Sequence, residues 1–526
     1  MIKLNSISWV LILIGGCGFS SPVLSADYWV TKEGNDSNLC TSSSPCLSIQ
    51  KGLSLLKKGD TLNIGAGTYI EDSTSSPFTD RCRWLDGIPT ASLCMNSSGT
   101  KDEPIVIQAA PGAEGMVVID SQGTRLGLHI QSHDYILINS LSFQNNYVSG
   151  IATWGQPENR IADEDRLSIG VTIANCFIYN TNGPAGKNIA GIHMWGSKDW
   201  IVSNNTIDLV MKEGVVGSHT SGIQAYGTID ALVTHNELNR VGSGVLWKDH
   251  FVADALGNPV FESEIAYNRI AAAQIGINIV AMGAGTDEAG VNYIHHNIIY
   301  GYSEAGILAN ISHARGISKG LFVAHNVLDG RGNRNAIGVS NDGFIDHYMW
   351  GNILVGNKVN LLLMKEKDVV KPELIASEFN VFGAASSSPM VADRYATSQC
   401  NYANLVNWQD NACSLLPSTR NELFLIESGG NLGTTRINAA ILPSAMRGTE
   451  QKHDLRSTEA SVGEIFVDRE NHNYHLAASS PAIFDDGYGG EFVAGPYEVG
   501  TEVIGVVGGA FDWVIIAPAK MLVSLE

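Results

Sequence analysis

The segment I-V-S-N-N-T-I (residues 201–207) returns as L-V-T-H-N-E-L (232–238), E-I-A-Y-N-R-I (264–270) and Y-I-H-H-N-I-I (293–299). It returns again as F-V-A-H-N-V-L (322–328) and Y-M-W-G-N-I-L (348–354). Each copy has an apolar residue, two others, Asn, one residue, then Ile, Val or Leu. The repeated Asn stands at 205, 236, 268, 297, 326, 352 and 380, in steps of 31, 32, 29, 29, 26 and 28. A second column keeps step with it. Gly191, Gly222, Gly244, Gly276 and Gly306 each open a short apolar strand. Two strands in a period of about thirty residues, joined by loops of unequal length, describe a solenoid. The expected architecture is an all-β solenoid of stacked strands. Stacked Asn side chains at a bend can bond one another and take the left-handed backbone that a sharp turn needs. Cys176, in T-I-A-N-C-F-I, falls in the Asn column one rung before Asn205 and reads as a buried structural thiol. His235, His296 and His325, each just before a column Asn, read as stacked rungs, because only His296 and His325 are on adjacent rungs.

Organisation follows from these columns. Residues 1–26 read as a signal peptide: Lys3, an apolar run from Ile7 to Ile14, then V-L-S-A before Asp27. The alternative I-G-G-C at 14–17 would make Cys17 a lipid anchor, so the expected location is secreted or periplasmic, with outer-surface anchoring as the variant. Residues 27–126 should hold an N-terminal capping helix and the first coils. Ser44 is its expected N-cap, and Cys46, Ile49, Leu53 and Leu56 its apolar face. Rungs should run over 127–382, an insert over 383–460, and a final rung over 461–500, with residues 501–526 as a tail. Cys40 with Cys46, Cys82 with Cys94, and Cys400 with Cys413 are close sequence pairs that read as loop disulfides in an exported chain. No later segment reads as a transmembrane span.

Bulk charge narrows the partners. The chain of 526 residues carries a formal net charge of -20, which speaks against nucleic acid. It also repels a polyanionic glycan at long range unless a local basic patch or a cation compensates.

The alternation of strand side chains locates a candidate site. After each column Gly, the first and third residues point inward and the second and fourth outward. The outward second positions are His193, Gln224, Leu246, Asn278 and Leu308, and the outward fourth positions are Trp195, Tyr226, Lys248, Val280 and Asn310. Trp195 and Tyr226 beside His193, Gln224 and Asn278 suit a sugar chain, whose C–H faces stack on rings and whose hydroxyls want polar partners. The densest polar cluster, W-K-D-H at 247–250, opens a long loop that carries Asp254, and the next rung has its own long loop with Asp287 and Glu288.

The opening Y-W-V-T-K-E-G-N-D-S-N, the Asn-x-Ile repeat and the S-P-A-I near 480 together resemble the secreted right-handed parallel β-helix proteins of the pectate-lyase-like superfamily, over roughly residues 27–500, which implies an all-β, right-handed parallel β-helix with an N-terminal capping helix. That superfamily holds polysaccharide lyases, glycoside hydrolases, epimerases and binding proteins. The resemblance implies an extracellular polysaccharide as partner and a monomeric protein. A β-eliminating lyase needs a base and something cationic against the uronate carboxylate. Lyases that resemble this fold often use Lys or Arg as the base and calcium as the cation. Lys248 is then the base candidate and His250 the second, with Asp249, Asp254, Asp287 and Glu288 as candidate calcium ligands. The sequence contains no complete lyase or calcium signature. A hydrolase would draw instead on a carboxylate pair from Asp249, Asp342 and Asp346. A binding protein would need only the aromatic line.

Overall fold

A computed structural model describes residues 25–73, 90–130, 133–154, 167–217, 219–248, 263–280, 292–310, 319–333, 335–342, 345–363, 374–378, 380–384, 391–393, 400–402, 418–420, 423–426, 465–478, 480, 482–485 and 491–495. The chain winds as a parallel β-solenoid. One coil runs through Ile201–Ser203, Thr206–Val210 and Thr220–Ile229, and the next begins at Leu232–Thr234 directly alongside the first. Ile201 pairs with Leu232, Val202 with Val233 and Ser203 with Thr234. The first sheet stacks thirteen described strands in chain order, from Asp27–Val30 to Ser418–Arg420. The second and third sheets run together where a strand is long enough, as in Glu237–Lys248 and Arg269–Val280. Among the described residues no helix is long and apolar enough to cross a membrane.

The repeated residues explain why the coils stay in register. Val202, Val233, Ile265, Ile294, Val323 and Met349 form one inward stack on the first sheet. Ile207, Leu238, Ile270, Ile299, Leu328 and Leu354 form another on the second. Each column Asn is buried. Its backbone N–H and its Nδ2 both donate to Oδ1 of the next Asn, at 3.0 and 3.0 Å from Asn205 to Asn236. The same Nδ2 donates back to a carbonyl of the preceding rung, Ile173 O at 2.9 Å in the case of Asn205. Cys176 takes the place expected of it, buried, with its N–H given to Asn205 Oδ1 at 2.9 Å. The left-handed residue, however, is the one before the Asn. Asn204, His235, Tyr267, His296 and His325 have φ of 55°, 55°, 57°, 55° and 52°. The Asn side chain is thereby free to face inward and bond along the stack. The rings at these left-handed positions stack in turn: His235 on Tyr267 at 5.0 Å, Tyr267 on His296 at 4.8 Å, and His296 on His325 at 4.8 Å.

The Gly column is a matter of close approach. A Cβ on Gly244 would lie 2.4 Å from Ile270 Cγ2 and 2.5 Å from the Gly276 carbonyl oxygen. The column is longer than the sequence repeat suggests, since Gly127, Gly150 and Gly338 meet the same crowding.

The N-terminal helix is shorter than expected, Ile49–Leu53, and its N-cap is Ser48, whose side chain accepts from Lys51 N. Ser44 pairs with Thr41 in a turn instead. The Cys40–Cys46 disulfide and the Cys46 backbone bonds to Trp29 and Thr31 hold the chain extended there, so the helix begins only beyond them. Cys46, Ile49, Leu53 and Leu56 are nonetheless all buried, as the apolar pattern requires. Cys82 and Cys413 lie outside the described residues, as do Cys17 and the rest of residues 1–24.

The C-terminal part departs from expectation twice. Ser418–Arg420 and Leu423–Ile426, placed in the insert by sequence, add in parallel to Leu374–Glu378 and Val381–Ala384. The sequence carries Glu rather than Asn just before Leu423, so the marker was missing. The expected final rung is two antiparallel pairs, Phe466–Asp468 with Asn473–Leu476 and Ile483–Asp485 with Glu491–Val493. They lie on the outside of the second sheet. Phe466, Tyr474 and Leu476 pack there with Ile298, Val327 and Ile353. Asp329, fully buried, accepts from Arg469 at 2.8 and 2.6 Å and from the Tyr474 hydroxyl at 2.9 Å.

Candidate functional site

The third sheet carries the candidate residues, and its register is the one the alternation predicts. His193 pairs with Gln224, Gln224 with Leu246 and Leu246 with Asn278. Trp195 pairs with Tyr226, Tyr226 with Lys248 and Lys248 with Val280. Their strand neighbours Ile192, Met194, Ile223, Ala225, Val245 and Trp247 belong to the core. The candidates therefore face away from it.

They are not an open polar face, as the sequence suggested. His193, Gln224 and Tyr226 are 3%, 1% and 6% exposed. Tyr226, Leu246 and Val280 form an apolar cluster of their own outside the core, with Trp195 packed against it. Leu246 and Val280 occupy the two outward rows and draw their neighbours down with them. Trp195 and Tyr226 meet edge to face, with centroids 5.1 Å apart at 76°. Only part of Trp195 and of Lys248 stays accessible.

A hydrogen-bonded chain orders this cluster. His193 Nε2 contacts Gln224 Oε1, and Gln224 Nε2 donates to the Tyr226 hydroxyl at 3.3 Å. The amide presents its oxygen to the imidazole, so His193 Nε2 carries the ring proton. Asn188 Nδ2 donates to the same Tyr226 oxygen at 2.8 Å, and Asn188 Oδ1 faces His219 Nδ1 at 3.0 Å. Burial brings His193 down to about 4, against the smaller opposing effect of its Gln224 bond, so the ring is neutral at pH 7. Burial also lifts the Tyr226 phenol to about 12, with the Asn188 bond working the other way.

Lys248 ends its strand with its ammonium 5.8 Å from the Tyr226 ring centroid. Burial lowers its pKa. The ring face favours the cation, while the loss of water favours the amine. His219 is lowered by burial first and then by the charges of Lys212 and Lys248. An acidic protein thus brings two lysines, Lys212 and Lys248, to the surroundings of His219. Asn278 Oδ1 is buried without a hydrogen-bond partner.

Asn188 and His219 were not singled out by sequence. Each lies three residues before a column Gly, on successive rungs, and that shared offset was the available signal. His250, Asp249, Asp254, Asp287 and Glu288 lie outside the described residues, and the described ones include no group of three or more candidate metal ligands. Asp342 is in the Lys248 row but three rungs along, through Val280 and Asn310, or about 14 Å.

No protein-family profile matches the chain. A curated relative, pectate lyase PEL9 of Emericella nidulans, is 24% identical over 221 residues, which cover 34% of this chain and 49% of the relative. The chain thus matches about half the length of that enzyme. Its repeat, its coil and this relative agree. The chain is a parallel β-helix protein similar over part of its length to a pectate lyase. Solved structures similar to this β-helix protein include XylC in complex with xylose, at 12% identity and a TM-score of 0.47, covering 76% of this chain and 83% of that one. A mannuronic acid specific polysaccharide family 6 lyase from human gut microbiota is also 12% identical, with a TM-score of 0.43 and coverages of 80% and 90%. The GH136 lacto-N-biosidase from Eubacterium ramulus is 13% identical, with a TM-score of 0.39 and coverages of 70% and 65%. Likenesses at this level carry nothing about chemistry.

Proposed function

We propose that this β-helix protein is an exported polysaccharide lyase that cleaves a uronate-containing glycan by β-elimination, with Lys248 as the base. The observation that carries the reading is Lys248 itself. It sits at the end of the third-sheet line, partly buried beside the Tyr226 ring, with its pKa pulled down by burial. A lysine poised closer to neutrality can accept the proton alpha to a carboxylate. The side chains bonded around Tyr226 are imidazoles and amides, which would hold sugar hydroxyls without repelling a uronate. Lys212 places a positive charge beside His219 and so answers part of the long-range repulsion expected of a chain at -20. Trp195 supplies the accessible ring for stacking. Calcium remains the expected partner of the uronate carboxylate, with Asp249, Asp254, Asp287 and Glu288 as its proposed ligands. The relative's printed activity, pectate lysis, supports the same class.

The test is a pair of substitutions at Lys248. On a polyuronate that the protein cleaves, Lys248→Ala is expected to lower kcat by about a hundredfold or more, with binding largely kept. Lys248→Arg keeps the charge but not the accessible neutral form and should be nearly as slow. Full activity in either variant would remove Lys248 from the reaction.

A further inference from the structure

Two rungs carry a polar residue at the same offset, three positions before the column Gly: Asn188 in N-I-A-G and His219 in H-T-S-G. The strands that follow them are in parallel register from Ile189 and Thr220 onward, which places Asn188 and His219 side by side on neighbouring rungs. Their contact fixes which end of each group faces the other. Asn188 Nδ2 donates to the Tyr226 hydroxyl at 2.8 Å, so the amide turns its oxygen to His219, whose Nδ1 lies 3.0 Å away. A carbonyl oxygen only accepts, so His219 Nδ1 carries the ring proton. In a neutral imidazole that leaves Nε2 as an acceptor.

The ring is neutral and open. Burial, then the charges of Lys212 and Lys248, hold His219 below the ordinary imidazole value of 6.5. The residue is exposed, and among the described residues nothing bonds its Nε2. His193, the other imidazole of the cluster, is buried and has its Nε2 engaged by Gln224. His219 is also tied to the proposed base by a continuous series of contacts. Asn188 joins it to Tyr226, and the Tyr226 ring centroid lies 5.8 Å from Lys248 Nζ. The charge of Lys248 is felt at the imidazole, so the two groups belong to one site. A uronate carboxylate only accepts hydrogen bonds and finds no donor at Nε2. A sugar hydroxyl can donate there, and an O-acetyl group cannot.

We infer that His219 is a specificity residue of the Lys248 site: its Nε2 accepts a hydrogen bond from a ring hydroxyl of the substrate, so the protein takes a polyuronate with free hydroxyls and discriminates against the O-acetylated polymer. This rests on the uronate reading of that site, but not on Lys248 being the base. Asn188 is the positioning residue, because its oxygen selects the tautomer that leaves Nε2 open.

Native affinity electrophoresis of the full chain tests this in gels cast with alginate or with polygalacturonate, each unmodified and chemically O-acetylated. Stronger retardation by the unmodified form of at least one polymer is expected. His219→Ala should lower that affinity by about fivefold, as the loss of one hydrogen bond implies, and erase the preference over the acetylated form. His219→Gln, whose amide oxygen can still accept, should keep most of the preference. Asn188→Leu should lower the preference itself, whereas a merely loosened site would lose both affinities in proportion. Equal affinity of the wild type for the two forms, or a preference that survives His219→Ala, would overturn the assignment. No retardation by either polyuronate would overturn it together with the uronate reading. Turnover separates the two claims. If Lys248→Ala cleaves normally while His219→Ala loses the preference, the base is misassigned and His219 keeps its role.

Discussion

Asn297→Ala isolates what the Asn column contributes. Asn297 Oδ1 accepts from the Asn268 N–H and from Asn268 Nδ2, each at 3.0 Å. Its Nδ2 donates to Ile265 O at 2.8 Å, to His295 O at 3.0 Å and to Asn326 Oδ1 at 3.0 Å. Alanine keeps the backbone donation to Asn326 but strands the buried Asn268 N–H. Stranding it costs roughly 1–3 kcal/mol, and the four remaining bonds contribute roughly 0.5–1 kcal/mol each, so the loss should be roughly 3–7 kcal/mol. Asn297→Asp should cost no less, because a carboxylate cannot donate to Ile265 O; this separates lost hydrogen bonds from a simple cavity. Coupling in a solenoid is between neighbouring rungs, so the damage should be local. Native-state amide exchange is the suitable assay, with the Asn268 amide expected to lose most of its protection. A variant within about 1 kcal/mol of wild type, with the Asn268 amide exchanging no faster, would refute the assignment of rung stability to this column.

Three further outcomes follow from the same structure. Cys176→Asn should extend the column by one rung, since the thiol already takes the Leu141 and Ser140 N–H groups. A gain of about 1 kcal/mol is expected in urea unfolding, and a loss of that size would show that the site cannot hold an amide. Arg469→Ala leaves Asp329 buried with one strong partner fewer, at a cost of about 3–5 kcal/mol to docking of the hairpin. Proteolysis within 466–476 should then speed up while the rungs stay resistant; equal rates would deny the ion pair its role. The buried histidines set the response to acid. Burial holds His129 and His193 at about 4 and His296 and His347 at about 3, all below the unfolded value of 6.5. Their contribution is present above about pH 6.5 and is lost as pH falls toward the folded values, by about 1.4 kcal/mol per pH unit for each imidazole. Glu71, lifted by burial to about 7, acts in the opposite sense between about 4.5 and 7, but it is one group against four. The urea midpoint should therefore fall between pH 6.5 and 4.5, and a flat profile would contradict the burial of these rings.

The fold was legible because its marker residues have one use each. An Asn that must bond its counterpart in the next rung and a Gly that must let a neighbouring Ile close in leave little choice, and both recur. The sequence was silent where those markers change. Ser418–Arg420 and Leu423–Ile426 continue the coil without the column Asn, and the segment from Phe466 to Leu476 has the alternation of a rung but turns back on itself and docks on the outer face. The site was half legible. Strand alternation placed His193, Trp195, Gln224, Tyr226 and Lys248 on the outward rows, as the pairings have them. Alternation says nothing about what lies above a sheet, so the burial of Tyr226 with Leu246 and Val280 could not be read. Asn188 and His219 reach the cluster from just before their strands, and a pattern that begins at the Gly passes over them.

The most direct measurement of the central claim is the chemistry of the products. The mature protein would be incubated with a panel of polyuronates and neutral glycans, with calcium and with a chelator, while ultraviolet absorbance of unsaturated ends and new reducing ends are followed together. Lysis at the Lys248 site predicts both signals rising in step on a uronate polymer, and slowed by the chelator. Reducing ends without absorbance would mean hydrolysis and would contradict the account, as would the absence of both signals across the panel.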